Sequence, residues 1–201
     1  MNNGIIIVGS GKSALGFKPD VYTPIIAVNG AIDWIERANY WFTLDPSPAN
    51  LHRIHNKKKG VDYRCALPRD MMNNFITDTD LLVYERISKT YADVDKNSPD
   101  YWFKRWGCIS GLSEDKSKIH TGNSAYGALG LAYHLGYTKV LLVGVDGTQC
   151  ERIEGGKPNN LSHLPKLFQS AKHQIKIKTI SDLQGIEKTN INEGLKWLQT
   201  N

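Results

Sequence analysis

The 201-residue chain has only three cysteines, Cys65, Cys108 and Cys150, an odd and widely scattered set. Such a set gives neither a disulfide framework nor the ligand spacing of a zinc site, and it fits a reducing compartment. Long hydrophobic runs are missing too: no apolar stretch approaches the roughly twenty residues of a membrane span. The beginning lacks the basic, apolar and small-residue succession of a secretory signal, its apolar run being only Ile5 to Val8. A cytoplasmic protein is therefore expected. Nor is there a large excess of one charge. The formal net charge of +5 is compatible with anionic ligands such as nucleotides, yet too small to establish nucleic-acid binding. With no internal repeat or low-complexity tract, and a length suited to one buried core, a single domain over residues 1–201 is expected.

What is present begins at once. Gly4-Ile5-Ile6-Ile7-Val8 runs straight into Gly9-Ser10-Gly11-Lys12-Ser13-Ala14, a continuous apolar strand followed by a glycine-rich turn. That order is the signature of a buried parallel strand opening a nucleotide-binding α/β unit. Gly9, Gly11 and Ala14 fit the spacing G-x-G-x-x-[G/A], in which small residues let the backbone turn tightly and approach a phosphate. A P-loop is excluded, because it needs a glycine five positions before Gly11 and Ile6 stands there. An NAD site would place an acid about twenty residues on, at the tip of the second strand. Here the strand Pro24 to Val28 ends in Asn29-Gly30. The Asn29 amide suits a base or ribose edge, or the pair is simply a strand-end turn.

Further along, Tyr40 to Leu44 reads as a third strand ending in Asp45-Pro46-Ser47-Pro48. In a doubly wound sheet ligands lie beyond the carboxyl ends of strands, so Asp45 and Ser47 are candidates; Ser47 equally suits a helix cap. Helices are expected at Ala31 to Ala38 and Ala49 to Lys58, and strands at Val61 to Leu67 and Leu81 to Tyr84. His52 and His55, three apart on the second of these helices, have no accompanying ligand pair for a metal. Between Asp93 and His120 the pattern fails, and a lid or insertion is expected at about 93–120. It carries Tyr101-Trp102-Phe103-Lys104-Arg105-Trp106, rings and cations able to stack on a sugar, a base or single-stranded nucleic acid, or to plug a sheet edge.

Order returns with a small-residue helix over Thr121 to Gly136, whose Thr121-Gly122-Asn123-Ser124 start offers backbone donors to an anion. The strand from Lys139 then places Asp146 at its carboxyl end. Residues of about 148–162 read as a mobile loop, with His163 at the threshold of a helix from Pro165 to Lys172. Gln174 to Ile180 alternates apolar and basic residues as an edge strand would, and Ile191 to Gln199 forms a last helix. The fold class is α/β, a Rossmann-like three-layer fold with a mostly parallel central sheet.

The glycine turn after the first strand, Ala27-Val28-Asn29-Gly30-Ala31 after the second, and Thr121 to Asp146 together resemble two Rossmann-like groups. One is glycosyltransferase family 42, the bacterial CMP-sialic-acid sialyltransferases; the other is the family that includes archaeal 6-hydroxymethylpterin pyrophosphokinases. The first resemblance implies a CMP-sugar donor and transfer to a hydroxyl acceptor. Gly9, Ser10, Gly11, Lys12 and Ser13 would then line the phosphate turn, and Asn29-Gly30 the nucleotide. Thr121, Gly122, Asn123 and Ser124 would supply helix-start contacts, with His163 as the general base. Imidazole titrates near neutrality and accepts a proton from an alcohol, while a monophosphate leaving group is cradled by donors without a metal. The second resemblance implies ATP and Mg²⁺, with Asp45 and Asp146 as ligands. A third reading, a non-catalytic nucleotide- or nucleic-acid-binding module, rests on the aromatic cluster and the lysines.

Overall fold

Ile5 to Val8 are buried on both faces, which is why four apolar residues in a row make a strand here and not one stripe of a helix. The computed structural model describes residues 3–74 and 81–200. Its strands are β1 (Gly4–Val8), β2 (Ile25–Val28), β3 (Tyr40–Phe42), β4 (Arg64–Pro68), β5 (Leu82–Ile87), β6 (Lys118–His120), β7 (Lys139–Val143), β8 (Lys176–Thr179) and β9 (Glu187–Lys188). They form one sheet in the order β6-β5-β4-β3-β2-β1-β7-β8-β9, and every pairing is parallel. The helices are α1 (Ala31–Trp34), α2 (Pro48–His55), α3 (Tyr101–Arg105), α4 (Ser124–His134), α5 (Leu164–Ser170) and α6 (Ile191–Gln199). The expected Rossmann-like three-layer α/β class is what the chain adopts.

Alternation along β1 divides the core. Ile5 and Ile7 face Leu129 of α4 and Phe168 of α5, whereas Ile6 and Val8 face Ile32 of α1 and Leu198 of α6. The chain winds from β1 outward to β6 and then returns to lay β7 on the other flank of β1. The strand order thus reverses between β1 and β7, and such a reversal opens a crevice beyond the carboxyl ends of the two strands. Both end level, Val8 opposite Val143.

Several expectations change in the structure. The first helix stops at Trp34 because Ile35 turns extended and is buried, with Ala38, against the sheet. Ser47 sits at the start of α2 without a side-chain capping bond; its amide donates instead to Asp45 Oδ1 at 3.0 Å. The stretch 93–120 holds α3 and β6, both too short to show a period in sequence. β8 is not an edge: β9 pairs beyond it, and Lys178 reaches across to Glu187 at 2.6 Å. No described helix is long and apolar enough to cross a membrane.

Glycine in α4 has a packing reason. A β-carbon at Gly127 would lie 2.8 Å from the Phe42 ring and 2.9 Å from Leu44, and Phe42 cannot swing aside because it stacks on Tyr84 at 5.2 Å. Gly127→Ala gains about 1 kcal/mol of helix propensity but overpacks the core by about 1–3 kcal/mol. Urea denaturation is expected to show a net loss of about 0–2 kcal/mol; a gain in stability would refute close packing of α4 on β3.

Candidate functional site

The turns that follow β1 and β7 pack against each other. Gly9 N–H donates to Val143 O at 2.8 Å and Gly11 N–H to Gly144 O at 2.9 Å. A β-carbon on Gly9 would sit 2.6 Å from Gly144 O, and Gly144 itself has φ +69° with its own missing β-carbon facing Gly9 O. The glycines therefore answer to a neighbouring turn before they answer to any phosphate. Asp146 locks the pair. Its Oδ2 accepts from Ser13 N–H at 3.0 Å and its Oδ1 from Ser13 Oγ–H, while Ser13 Oγ accepts from Gly144 N–H at 3.1 Å. A carboxylate of the chain thus fills the anion position at the start of the short 3₁₀ turn Lys12–Ala14.

Beyond these turns lies a cleft in two compartments. The first is lined by Gly9, Ser10, Gly11, Asn29, Asn123, Ser124 and Asp146, with Arg152 and Glu154 from the following loop. The second is lined by Asp45, Arg86, Trp106, Thr121, Gly122 and His163. Asn29, Asn123, Ser124, Arg152 and Leu161 belong to both, so the compartments share a wall. Lys12 is exposed and lines neither; Ser13 is turned inward onto Asp146; Gly30 lies under the Glu154 carboxylate, with which any β-carbon there would collide.

Backbone donors at the start of α4 are less free than the sequence leads one to expect. Asn123 caps its own helix, Oδ1 accepting from Ala125 N–H at 2.8 Å and Tyr126 N–H at 3.4 Å. Ser124 Oγ accepts from Leu44 N–H at 3.4 Å, tying β3 to α4. Asn29 is held in the left-handed region, φ +50°, a conformation asparagine tolerates better than most residues. Its carbonyl accepts from Trp41 Nε1 at 2.8 Å and its Oδ1 from Asn50 Nδ2 at 3.4 Å. Asn50, 1% exposed, also donates to Thr43 Oγ1 at 3.1 Å and to Asp45 Oδ2 at 3.3 Å. Asp45 and Asp146 thus line different compartments, each bound by the chain's own donors. Among the described residues no three His, Cys, Asp or Glu side chains converge.

His163 is 5% exposed and opens α5. Its Nε2 lies 2.9 Å from Gly122 O; a carbonyl only accepts, so the neutral ring carries its proton on Nε2 and presents the lone pair on Nδ1. Burial lowers its pKa from the ordinary histidine range, only partly offset by the Gly122 carbonyl, and keeps the imidazole neutral. Gly122 reaches this position with φ +116° and no room for a side chain, since Cys108 Sγ lies directly beneath. The Cys108 thiol is pushed up to about 12 by burial and is chemically inert.

Among the described residues, Ser10 Oγ, Thr121 Oγ1, Glu154 Oε2 and His163 Nδ1 are buried atoms with no hydrogen-bond partner, and all four residues line the cleft. Trp34 Nε1 is the fifth such atom and lines neither compartment. Buried polar groups are otherwise paired in native proteins, so four in one cleft single it out as the candidate site. Sequence reasoning missed Asn50, Arg86, Arg152 and Glu154. The last two sit in the polar stretch read only as a mobile loop. Of the aromatic cluster, Phe103 is buried, whereas Trp106, 39% exposed, stacks on Trp102 at 6.2 Å and borders the second compartment.

No family model matches the sequence, and no curated protein matches it. Solved structures do share its fold. The monofunctional alpha-2,3-sialyltransferase Cst-I from Campylobacter jejuni superposes with a TM-score of 0.60 at 16% identity, covering 99% of this chain and 82% of that one. An apo alpha-2,3-sialyltransferase from the same organism gives 0.55 at 16% identity, with the same coverage. The sialyltransferase CST-II, in complex with a trisaccharide acceptor and CMP, gives 0.54 at 14%, covering 98% and 88%. At such identities the likeness concerns the fold.

Ser13→Ala removes two hydrogen bonds made by its hydroxyl, one of them to a carboxylate. A loss of about 1–3 kcal/mol is expected in urea denaturation. Unchanged stability would show that the Asp146 clamp does not hold the two turns together.

Proposed function

We propose that this chain is a glycosyltransferase that moves a sugar from a CMP-activated donor to a hydroxyl acceptor, with His163 as general base. The observation that carries the reading is His163 Nδ1, a buried and unpartnered lone pair on a ring whose tautomer is set by Gly122 O. It belongs to the wall of a two-compartment cleft. One compartment suits the activated donor, the other the acceptor. The acceptor hydroxyl gives its proton to Nδ1 as its oxygen attacks the anomeric carbon, and the bond from that carbon to the phosphate oxygen breaks. The leaving group is CMP.

The shared wall suits the leaving phosphate. Arg152 brings a guanidinium there, and Asn29 brings an amide whose oxygen is occupied by Asn50, leaving its NH₂ as a donor. Trp106 and Arg86 at the far rim suit a sugar face and a polar substituent of an acceptor. The fold shared with sialyltransferases, one of them in complex with CMP and a trisaccharide acceptor, supports the same assignment.

The test is release of CMP from CMP-N-acetylneuraminic acid in the presence of galactoside acceptors. His163→Ala is expected to lower kcat/KM by about 10²–10⁴-fold with CMP binding retained. A variant of wild-type rate would remove His163 from the mechanism. The base works only when neutral, so kcat/KM rises with pH through the free-enzyme pKa. Because burial depresses that pKa, the acid limb is expected to have its midpoint below the ordinary value of about 6.5. A midpoint above it would contradict a buried base.

A further inference from the structure

We infer that Glu154 and Ser10 together receive the ribose 2′- and 3′-hydroxyls of the bound nucleotide. The inference rests on the nucleotide-binding reading and assigns which end of the ligand lies where. A Rossmann site that binds a ribose diol carries an acid at the tip of its second strand. In this chain that tip is Asn29-Gly30 and has no acid. The structure supplies one from elsewhere: the Glu154 carboxylate, from the loop after β7, lies against Gly30 where a side chain would otherwise stand.

The loop is held there by its own backbone. Ile153 N–H donates to Ser10 O at 3.0 Å, and Arg152 N–H to Gly156 O at 3.0 Å. Ile153, next to Glu154 in the chain, is thereby bonded to Ser10, and Ser10 and Glu154 each have a buried side-chain oxygen without a partner, Ser10 Oγ and Glu154 Oε2. Arg53 is near enough to feel the Glu154 charge, but its guanidinium hydrogen-bonds Asp33 and Asn50. A carboxylate that accepts, beside a hydroxyl that both accepts and donates, matches two adjacent sugar hydroxyls. The same carboxylate repels a phosphate, so the ligand's anionic end is directed away, toward Arg152.

The experiment is calorimetric titration of CMP, 2′-deoxy-CMP and UMP into the wild-type protein, Glu154→Ala and Glu154→Gln. Wild type is expected to favour CMP over 2′-deoxy-CMP by about ten- to a hundred-fold, the size of a hydrogen bond to a charged group. Glu154→Ala is expected to lose the preference for CMP over 2′-deoxy-CMP, with Glu154→Gln in between. Equal wild-type affinities for CMP and 2′-deoxy-CMP would overturn the ribose assignment while leaving the nucleotide reading intact. So would a Glu154→Ala variant that loses only the preference for CMP over UMP, since that makes the acid a reader of the cytosine amine. If neither CMP nor UMP binds the wild type, both readings fall together. Should Glu154→Ala fail to fold, the wild-type ligand comparison and Glu154→Gln still decide.

Discussion

Two neighbouring strands that end level, each followed by glycine, have to turn away from the sheet without colliding. The contact between Gly9 and Gly144 solves this by removing both side chains, and the Asp146 carboxylate then fastens the turns through Ser13. Because β1 and β7 stand where the strand order reverses, this contact forms the floor of the crevice. Asn29, Asn123 and Ser124 on one side, and the loop bearing Arg152 and Glu154 on the other, are placed relative to it. The glycine-rich motif thus has a structural task whatever the ligand: it lets two βα turns share a space that side chains would fill.

The site built on that floor has a division of labour that follows from burial. Residues committed to internal bonds, such as Asn50, Asp45 and Asp146, hold strand tips in place. Residues with a buried atom left over, such as Ser10, Thr121, Glu154 and His163, line the cleft. An unsatisfied buried polar atom weakens the folded state by about 1–3 kcal/mol, so a cluster of them at one place costs the fold stability that the proposed ligand would restore.

Much of this was legible in the chain. The buried strands Ile5 to Val8 and Val140 to Val143 are continuous apolar runs, and a parallel α/β sheet follows from them. The positions of Gly9, Asn29, Ser124 and His163 around one crevice were accessible because strand tips and helix starts can be read from pattern. What escaped was of two kinds. Elements of two to five residues, α3, β6 and β9, are shorter than the period that would reveal them. Partnerships across large sequence separations, such as Ser13 with Asp146, have no local signature: the same letters that advertise a phosphate turn also serve a carboxylate 133 residues away. The loop carrying Glu154 shows the limit most clearly, since its polarity reads as mobility until the backbone bond from Ile153 to Ser10 fixes where it lies.

The carbonyl of Gly122 stands behind His163 where many proton-accepting imidazoles have an acid. A neutral dipole fixes the ring's orientation but gives little shelter to the cation formed when it takes up a proton. Burial disfavours that cation, so a proton taken up here is held weakly. Such an arrangement would suit the proposed transfer, in which the departing group leaves as an anion needing no proton. Low basicity comes to this histidine from its burial, while the one backbone oxygen fixes the ring and gives part of that basicity back.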